Sequence, residues 1–353
     1  MPRKPKIYTG PRGGKYYKKY NKKIYLKTHK IKQSGSGIQD WPNIGPLENY
    51  YQITNYLGEG SFGKTYKAID LSNKQTVAIK QLVSSNNPQV LEQNLPLIEL
   101  EVTNLIKSTS IGAKGINACH PNVVCYKNHF IATTNEGTFL FIIMDFIKGI
   151  DLEKFISIYW KNNNLQPPPH IMRSLILSSL NGLSFLHEKN LIHRDIKPAN
   201  IMVVNPSSNE PRAVLVDLGL SCYDASSCLS GSGSGTLTFM SPERIYLELI
   251  NKKHEESLQT LKASDVWGIG ASFYSLVTNS MLIPQDMWNK SDQIPQYLEH
   301  KNIKQSKIYN RNNTIDNSIR EMLDIDYRNR PTARKLWTYI QKHKSIDDPM
   351  EID

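Results

Sequence analysis

Hydrophobic periodicity changes character once along this chain, and the place where it changes limits the folds open to it. Between Tyr51 and Phe146 the apolar residues fall in short, strand-like runs. They are Tyr51–Leu57, Thr65–Asp70, Thr76–Leu82, Val123–Ile131 and Thr138–Phe146, interrupted by one helical stretch at Leu95–Lys107. In that stretch Ile98, Val102, Leu105 and Ile106 form one stripe. From Asp151 onward the period becomes helical: Leu152–Trp160, Ile171–Glu188, Ala263–Thr278, Ile315–Leu323 and Thr332–His343. The order predicts an α+β fold of two lobes, a small antiparallel β lobe with one helix and a larger, mainly helical lobe. They join near Asp145–Gly149, and the cleft between them is a natural ligand site. Polar stretches at Ser84–Pro88, Lys107–Ala118, Pro206–Pro211 and Leu247–Leu261 read as surface loops, with short helices allowed in the last.

Composition decides how much of the chain this covers. The 353 residues are 39% hydrophobic, enough for a real core, and no run approaches the roughly 20 apolar residues of a membrane span. The net charge of +11 would suggest a nucleic-acid binder if it were spread evenly. It is not. Residues 1–39 hold 12 Lys and Arg and no Asp or Glu, so the rest of the chain is close to neutral. The segmentation is therefore a basic arm (1–32), a linker (33–49) opening on Gln33-Ser-Gly-Ser-Gly37, a main domain (50–344) and a tail (345–353). Cys119, Cys125, Cys222 and Cys228 are too few for a disulfide scaffold and match no common zinc spacing. They read as free thiols in an intracellular, reducing compartment.

Four short motifs carry the chemistry. Leu57-Gly58-Glu59-Gly60-Ser61-Phe62-Gly63-Lys64-Thr65 joins two strand-like runs, and its glycines let backbone N–H groups approach phosphate oxygens. It does not open a helix, which argues against a dinucleotide-binding turn. Val77-Ala78-Ile79-Lys80 ends the next strand on a cation. His193-Arg194-Asp195-Ile196-Lys197-Pro198-Ala199-Asn200 packs several polar functions into eight residues, and Val214–Gly219 places Asp217 directly after an apolar run. Any one of these could be a polar turn or a capped strand end. In this order they suit phosphoryl transfer: one carboxylate to orient a hydroxyl, a second with an amide to hold a hard cation, and a lysine on phosphate.

The ordered set resembles the eukaryotic-type serine/threonine protein kinases over roughly Tyr51 to Ile340. The resemblance implies a protein kinase fold that transfers the ATP γ-phosphate to Ser or Thr hydroxyls of protein substrates. ATP and Mg2+ are implied with it, Mn2+ being a substitute. The glycine loop would cover the phosphates and Lys80 would contact them. Glu99 and Glu101 flank the stripe of the small-lobe helix almost equally, so periodicity does not choose between them as partner of Lys80. The run Glu101-Val-Thr-Asn-Leu105 resembles the family's spacing and favours Glu101. Met144 would guard the adenine pocket beside Ala78, and Asp145 would begin the hinge. Asp151 falls where a ribose-binding acid is often found, or caps the following helix.

In the larger lobe the resemblance makes Asp195 the catalytic base and Lys197 its partner on the transferring phosphate. Asn200 and Asp217 become metal ligands. Thr236 and Met240-Ser241-Pro242-Glu243 would end the activation segment, Glu243 pairing with Arg330, while Asp265 supports the catalytic loop. Thr65, Leu218, Phe239 and Ser241 depart from the family's usual valine, phenylalanine, tyrosine and alanine, and none of these changes removes a group on phosphate or metal. Arg194 would pair with a phosphorylated activation loop, which offers Ser221, Ser226, Ser227, Ser230, Ser232 and Ser234.

The arm has its own pattern. Gly-Pro and Gly-Gly turns separate tyrosine-rich pieces that alternate as short strands do, which predicts a small β-hairpin. The run from Tyr8 to Tyr17 resembles a short basic adaptor motif on proteins of large DNA viruses of algae and protists, some of which fuse it to kinases. That implies a viral protein acting in the host cytoplasm. Lysines interleaved with Tyr8, Tyr16, Tyr17, Tyr20 and Tyr25 suit nucleic acid or another anionic partner bound through residues 1–32.

Overall fold

The computed structural model describes residues 42–60, 63–84, 119–163, 167–223, 237–245, 257–288, 290–300 and 314–343. It also describes the backbone of 7–9, 15–19 and 22–26. The chain divides into two compact units, Met1–Asp40 and Trp41–Asp353. In the first, β1 (Ile7–Thr9), β2 (Lys15–Lys19) and β3 (Lys22–Leu26) form an antiparallel sheet in the order β1-β2-β3. The expected hairpin thus gains a third strand.

The second unit opens with a six-stranded sheet. Its strands are β4 (Asn43–Pro46), β5 (Tyr51–Gly60), β6 (Gly63–Asp70), β7 (Thr76–Ser84), β8 (Tyr126–Thr134) and β9 (Gly137–Asp145). They are ordered β4-β8-β9-β7-β6-β5. All neighbours are antiparallel except β4 and β8. β4 and the turn Leu47–Asn49 lie in the stretch read as linker, but Leu47 is buried and Tyr51 stacks on Phe130 at 5.4 Å between ring centroids. These apolar residues cover a sheet face that would otherwise meet water, which is why the chain is recruited there.

Strand alternation sorts this sheet by function. Ala68, Val77, Ile79, Phe130, Ala132, Phe141 and Ile143 pack into one apolar cluster with Leu47. The register sets Thr65 opposite Lys80 and Lys80 opposite Ile142, then Lys67 opposite Ala78 and Ala78 opposite Met144. Directly opposed residues share a face, and neighbours along a strand do not. Thr65, Lys67, Ala78, Lys80, Ile142 and Met144 therefore form the other face, on which the expected nucleotide residues fall.

After β9 the chain turns helical. A small sheet of β10 (Gly149–Asp151), β11 (Ile201–Val204) and β12 (Arg212–Leu215) is laid among the helices. The helices are α1 (Leu152–Asn163), α2 (Pro169–Glu188), α3 (Pro242–Ile245), α4 (Leu258–Thr278), α5 (Ile294–His300), α6 (Thr314–Met322) and α7 (Ala333–Lys342). Proline at the first position opens α2, where its missing N–H costs nothing, and Met172, Leu175, Ile176, Leu180 and Leu183 form its buried face. In α6 and α7 the buried positions keep helical spacing: Ile315, Ile319 and Met322, then Leu336 and Ile340. Nearly every residue of α4 is buried, so α4 is the axis of the lobe. Among the described residues no helix is long and apolar enough to cross a membrane.

Two expectations are corrected here. The polar stretch Leu247–Leu261 reads as a loop with short helices allowed, but Leu258–Leu261 is the first turn of the long helix α4, whose cap is the Ser257 hydroxyl accepting from Thr260 N at 3.1 Å. The polar residues before it hid a helix that starts a turn earlier than its apolar pattern. Among the described residues the cysteines are not free thiols either, and Cys228 lies outside them. Cys119 and Cys125 form a disulfide, and Cys222 is disulfide-bonded as well. The turn at His120–Val123 brings the Cys119 and Cys125 Cα atoms to 5.5 Å, within disulfide reach, which count and spacing could not reveal.

Candidate active site

The site is assembled from both lobes, and the small lobe supplies its roof. Gly63 starts β6 with φ 143°, and a Cβ there would collide with the Gln81 carbonyl oxygen of β7. Only glycine lets these two strands close up at the turn. Before that turn the end of β5 is open to solvent: Tyr56 is 57% and Leu57 45% exposed, while Gly58, Glu59 and Lys64 stand near the turn. Ser61 and Phe62 lie outside the described residues, as do Glu99 and Glu101.

Lys80 sits on the roof with only 6% of its surface exposed and reaches across the cleft to Asp217 Oδ1 at 3.2 Å. Partial burial pushes the Asp217 carboxyl up. The Lys80 charge and hydrogen bond, with the His193 charge and the Gly219 N–H, outweigh it and hold the group below its ordinary value. Asp217 takes a left-handed backbone conformation (φ 61°), which aspartate tolerates better than most residues. Leu218 beside it is buried, so the departure from phenylalanine keeps an apolar anchor.

The floor is the loop from His193 to Asn200, and buried Asp265 of α4 organises it. Asp265 Oδ2 accepts from His193 N and Oδ1 from Arg194 N, both at 2.8 Å, and Oδ2 meets His187 Nε2 at 3.0 Å. This carboxylate fixes two consecutive peptides, one belonging to Arg194 with φ 67°. Burial raises its pKa, but the His187 hydrogen bond and charge, the His193 charge and the backbone donor bring it below the ordinary aspartate value. A Cβ on Gly268, one helical turn on, would stand 2.9 Å from the Ile196 carbonyl oxygen, so glycine there lets the loop lie against α4. His193 Nε2 meets Val216 O at 3.0 Å, and Val216 N donates to Asn200 O at 3.0 Å. The loop is thereby fastened to the residue preceding Asp217.

Within this frame Asp195 Oδ2 receives Asn200 Nδ2 at 2.9 Å and Lys197 Nζ at 2.8 Å, while Asn200 Nδ2 also donates to Asp195 O at 2.8 Å. With its NH2 turned to Asp195, Asn200 keeps its amide oxygen for another ligand. That oxygen, with the Asp217 carboxylate, is a hard donor set of the kind Mg2+ takes. The residues present fit a divalent cation of this class.

At the hinge Asp145 pairs with Lys127 at 2.7 Å, and its N–H donates to Cys125 O at 2.9 Å, so the disulfide lies directly behind it. Met144 and Ala78 are buried opposite one another. Asp151 caps α1: Oδ1 accepts from Lys154 N at 2.7 Å and Oδ2 meets Lys154 Nζ at 3.2 Å. Glu243 and Arg330 form a bidentate pair at 2.5 and 2.7 Å, with the guanidinium over buried Trp267 at 4.8 Å. Thr236 lies outside the described residues. Of the serines offered for phosphorylation, Ser221 is buried, its hydroxyl 3.4 Å from His193 O, and the others lie outside them too.

Three supporting residues escaped sequence reading. His187 closes an apolar helix and looks like ordinary core. Arg244 is buried and donates to Arg194 O at 2.7 Å, although it follows Glu243 directly in sequence and could have been singled out. Ser264 accepts the Ser241 hydroxyl at 2.9 Å, so the serine that replaces the family's alanine is satisfied inside the lobe.

Comparison with known proteins agrees with this geometry. The family described as protein kinase domain matches residues 51–343. MAP3K epsilon protein kinase 1 of Arabidopsis thaliana is 31% identical over 234 residues, 66% of this chain and 14% of that protein. Serine/threonine-protein kinase Nek10 of Homo sapiens is 28% identical over 255 residues, 71% of this chain and 20% of that protein. The chain thus spans a small part of the relatives it matches. It belongs to the protein kinase family.

Proposed function

We propose that this kinase transfers the γ-phosphate of ATP to Ser and Thr hydroxyls of proteins, with Asp195 as catalytic base. The observation that carries this reading is the convergence, in one cleft, of the Lys80–Asp217 pair with the Asp195–Asn200–Lys197 cluster. Lys80 and Asp217 bring opposite charges to the place where phosphate and metal must meet. Asn200 and Lys197 fix the Asp195 carboxylate, so that it can orient a substrate hydroxyl and take its proton as the bond to phosphorus forms. Lys197, still beside it, is placed to neutralise charge on the transferring group.

Asn200 and Asp217 would hold Mg2+, or Mn2+ in its stead, and such an ion supplies charge neutralisation to the phosphate oxygens. Gly58, Gly60 and Gly63 with their neighbours Leu57, Glu59, Ser61, Phe62, Lys64 and Thr65 form the lid over the phosphates. Ala78, Met144 and Asp145 contact adenine, and Asp151 serves the ribose while capping its helix. Glu101 is the further partner of Lys80, and Thr236 approaches Asp195 from the activation segment. Dependence on ATP places the reaction inside a cell, the host on the viral reading of the arm. The basic arm, residues 1–32, tethers the kinase to nucleic acid, where its substrates would be concentrated.

The test is transfer of labelled phosphate from ATP to casein and histone by wild type and Asp195→Ala. Wild type should label both, on serine and threonine by phosphoamino-acid analysis, and the variant neither. Label that survives the substitution would refute the role of Asp195, and phosphotyrosine as main product would refute the specificity. Retention of the full chain on nucleic acid at low salt, lost on deleting residues 1–37, is the outcome expected for the tether.

A further inference from the structure

We propose that the N-terminal sheet is a reader of single-stranded nucleic acid, built around a row of three tyrosines. This rests on the tether reading above and narrows it to one ligand. Register supplies the observation: Tyr8 stands opposite Tyr16, and Tyr16 opposite Tyr25, so one tyrosine from each strand falls in a single line across the sheet. Neighbouring strands run about 4.8 Å apart, which makes the line about 10 Å long. Two residues further along β2 and β3, Lys18 stands opposite Lys23. By alternation that pair belongs to the same face as the tyrosines. Ile7, Tyr17, Ile24 and Leu26 belong to the other face.

Two features of this arrangement call for an anion. Lys18–Lys23 and Lys19–Lys22 are like charges at directly opposed positions, which destabilises a sheet pair. No acidic residue among the first 39 is available to offset them. A three-stranded sheet this small has little burial to spend on repulsion, so a bound anion is its natural countercharge. The tyrosine row then selects among anions. Unpaired bases offer π faces to aromatic side chains, whereas a duplex keeps its bases stacked on one another and an acidic polypeptide has none to offer. A line of about 10 Å suits two or three successive bases, and the opposed Lys18 and Lys23 add positive charge to the same face for their phosphates.

The experiment is fluorescence anisotropy on the full chain with labelled dT20, rU20, a 20-base-pair duplex and polyglutamate, each over a salt series. Binding of dT20 or rU20 should be at least tenfold tighter than of the duplex, and comparison of the two separates DNA from RNA. Tyr16→Leu keeps apolar bulk in the sheet but has no π face. It should weaken single-strand binding roughly tenfold without changing the salt slope, and Tyr16→Phe should restore it. The double change Lys18→Gln with Lys23→Gln should instead reduce the slope by about 1.4. Phosphorylation of a soluble substrate should stay at the wild-type level throughout. Equal binding by wild type and Tyr16→Leu, or a preference for duplex or polyglutamate, would overturn the proposal and leave a plain basic tether. If none of the four anions binds, the tether reading falls as well.

Discussion

The two walls of the cleft are built on different terms. In the larger lobe the loop from His193 to Asn200 is almost wholly buried, and the chain itself satisfies it: Asp265 holds two peptides, Asn200 and Lys197 hold Asp195, and Arg244 holds the Arg194 carbonyl. In the small lobe β5 and the start of β6 are half open to solvent, and Tyr56 and Leu57 are exposed apolar surface. One wall is preorganised for a reaction, and the other has its last contacts to make with a ligand. Proteins place their least stable segments where ligands must enter, and their fixed dipoles where charge develops. Changes on the two walls should therefore fail differently, in chemistry or fold on one side and in nucleotide affinity on the other.

The largest expected effect is on the floor. Asp195→Asn keeps the shape of the side chain and removes the carboxylate proposed as base, so kcat should fall about a thousandfold while KM for ATP stays within a factor of about three. A loss in KM instead would mean that Asp195 serves nucleotide binding and that the division between the walls is wrong. Second is Asp265→Asn, where an amide must replace a carboxylate that receives two backbone N–H groups and His187. Urea unfolding should show a loss of about 2–3 kcal/mol, with activity falling alongside. A variant as stable as wild type would show that the loop does not depend on Asp265. Smaller still, Gly63→Ala should raise KM for ATP roughly tenfold, because β6 must shift away from Gln81. Its unfolding free energy should fall only modestly, by about 1 kcal/mol, the strain of a positive φ and of moving β6 off the Gln81 carbonyl.

How much of this could be read in the sequence follows the same division. That Asp195 and Asn200 would stand together was legible because the motif holding them is only eight residues long and one loop carries both. The period-2 pattern of Val77–Leu82 was equally legible, and with the register it explains why Ala78 and Lys80 share a face while Ile79 faces the core. Legibility ended where structure depends on distant packing. Nothing in Leu47 or Ile44 says that they will cover a sheet whose other strands begin at Tyr51. His187 lies 78 residues from Asp265, so no local pattern links them. Asp151 left two readings open, and geometry supports its capping role by placing Lys154 N on its carboxylate.

The smallest effect is also the most diagnostic, because it separates charge from shape at Asp265. Its folded pKa lies below that of an ordinary aspartate, held down by His187, His193 and the backbone donors against the effect of burial. The unfolded chain therefore binds the proton more readily than the folded one, and the stability contributed by ionisation is complete above the unfolded pKa of about 4. It is lost as pH falls through that value toward the folded one. The gap between the urea midpoints of wild type and Asp265→Asn should stay constant from pH 7 to about pH 5 and narrow steadily below pH 4. An unchanged gap at pH 3 would assign the role of Asp265 to packing. A gap that widened on acidification would mean that its carboxylate is not stabilised by the loop at all, and the contrast between a preorganised floor and an open roof would lose its electrostatic basis.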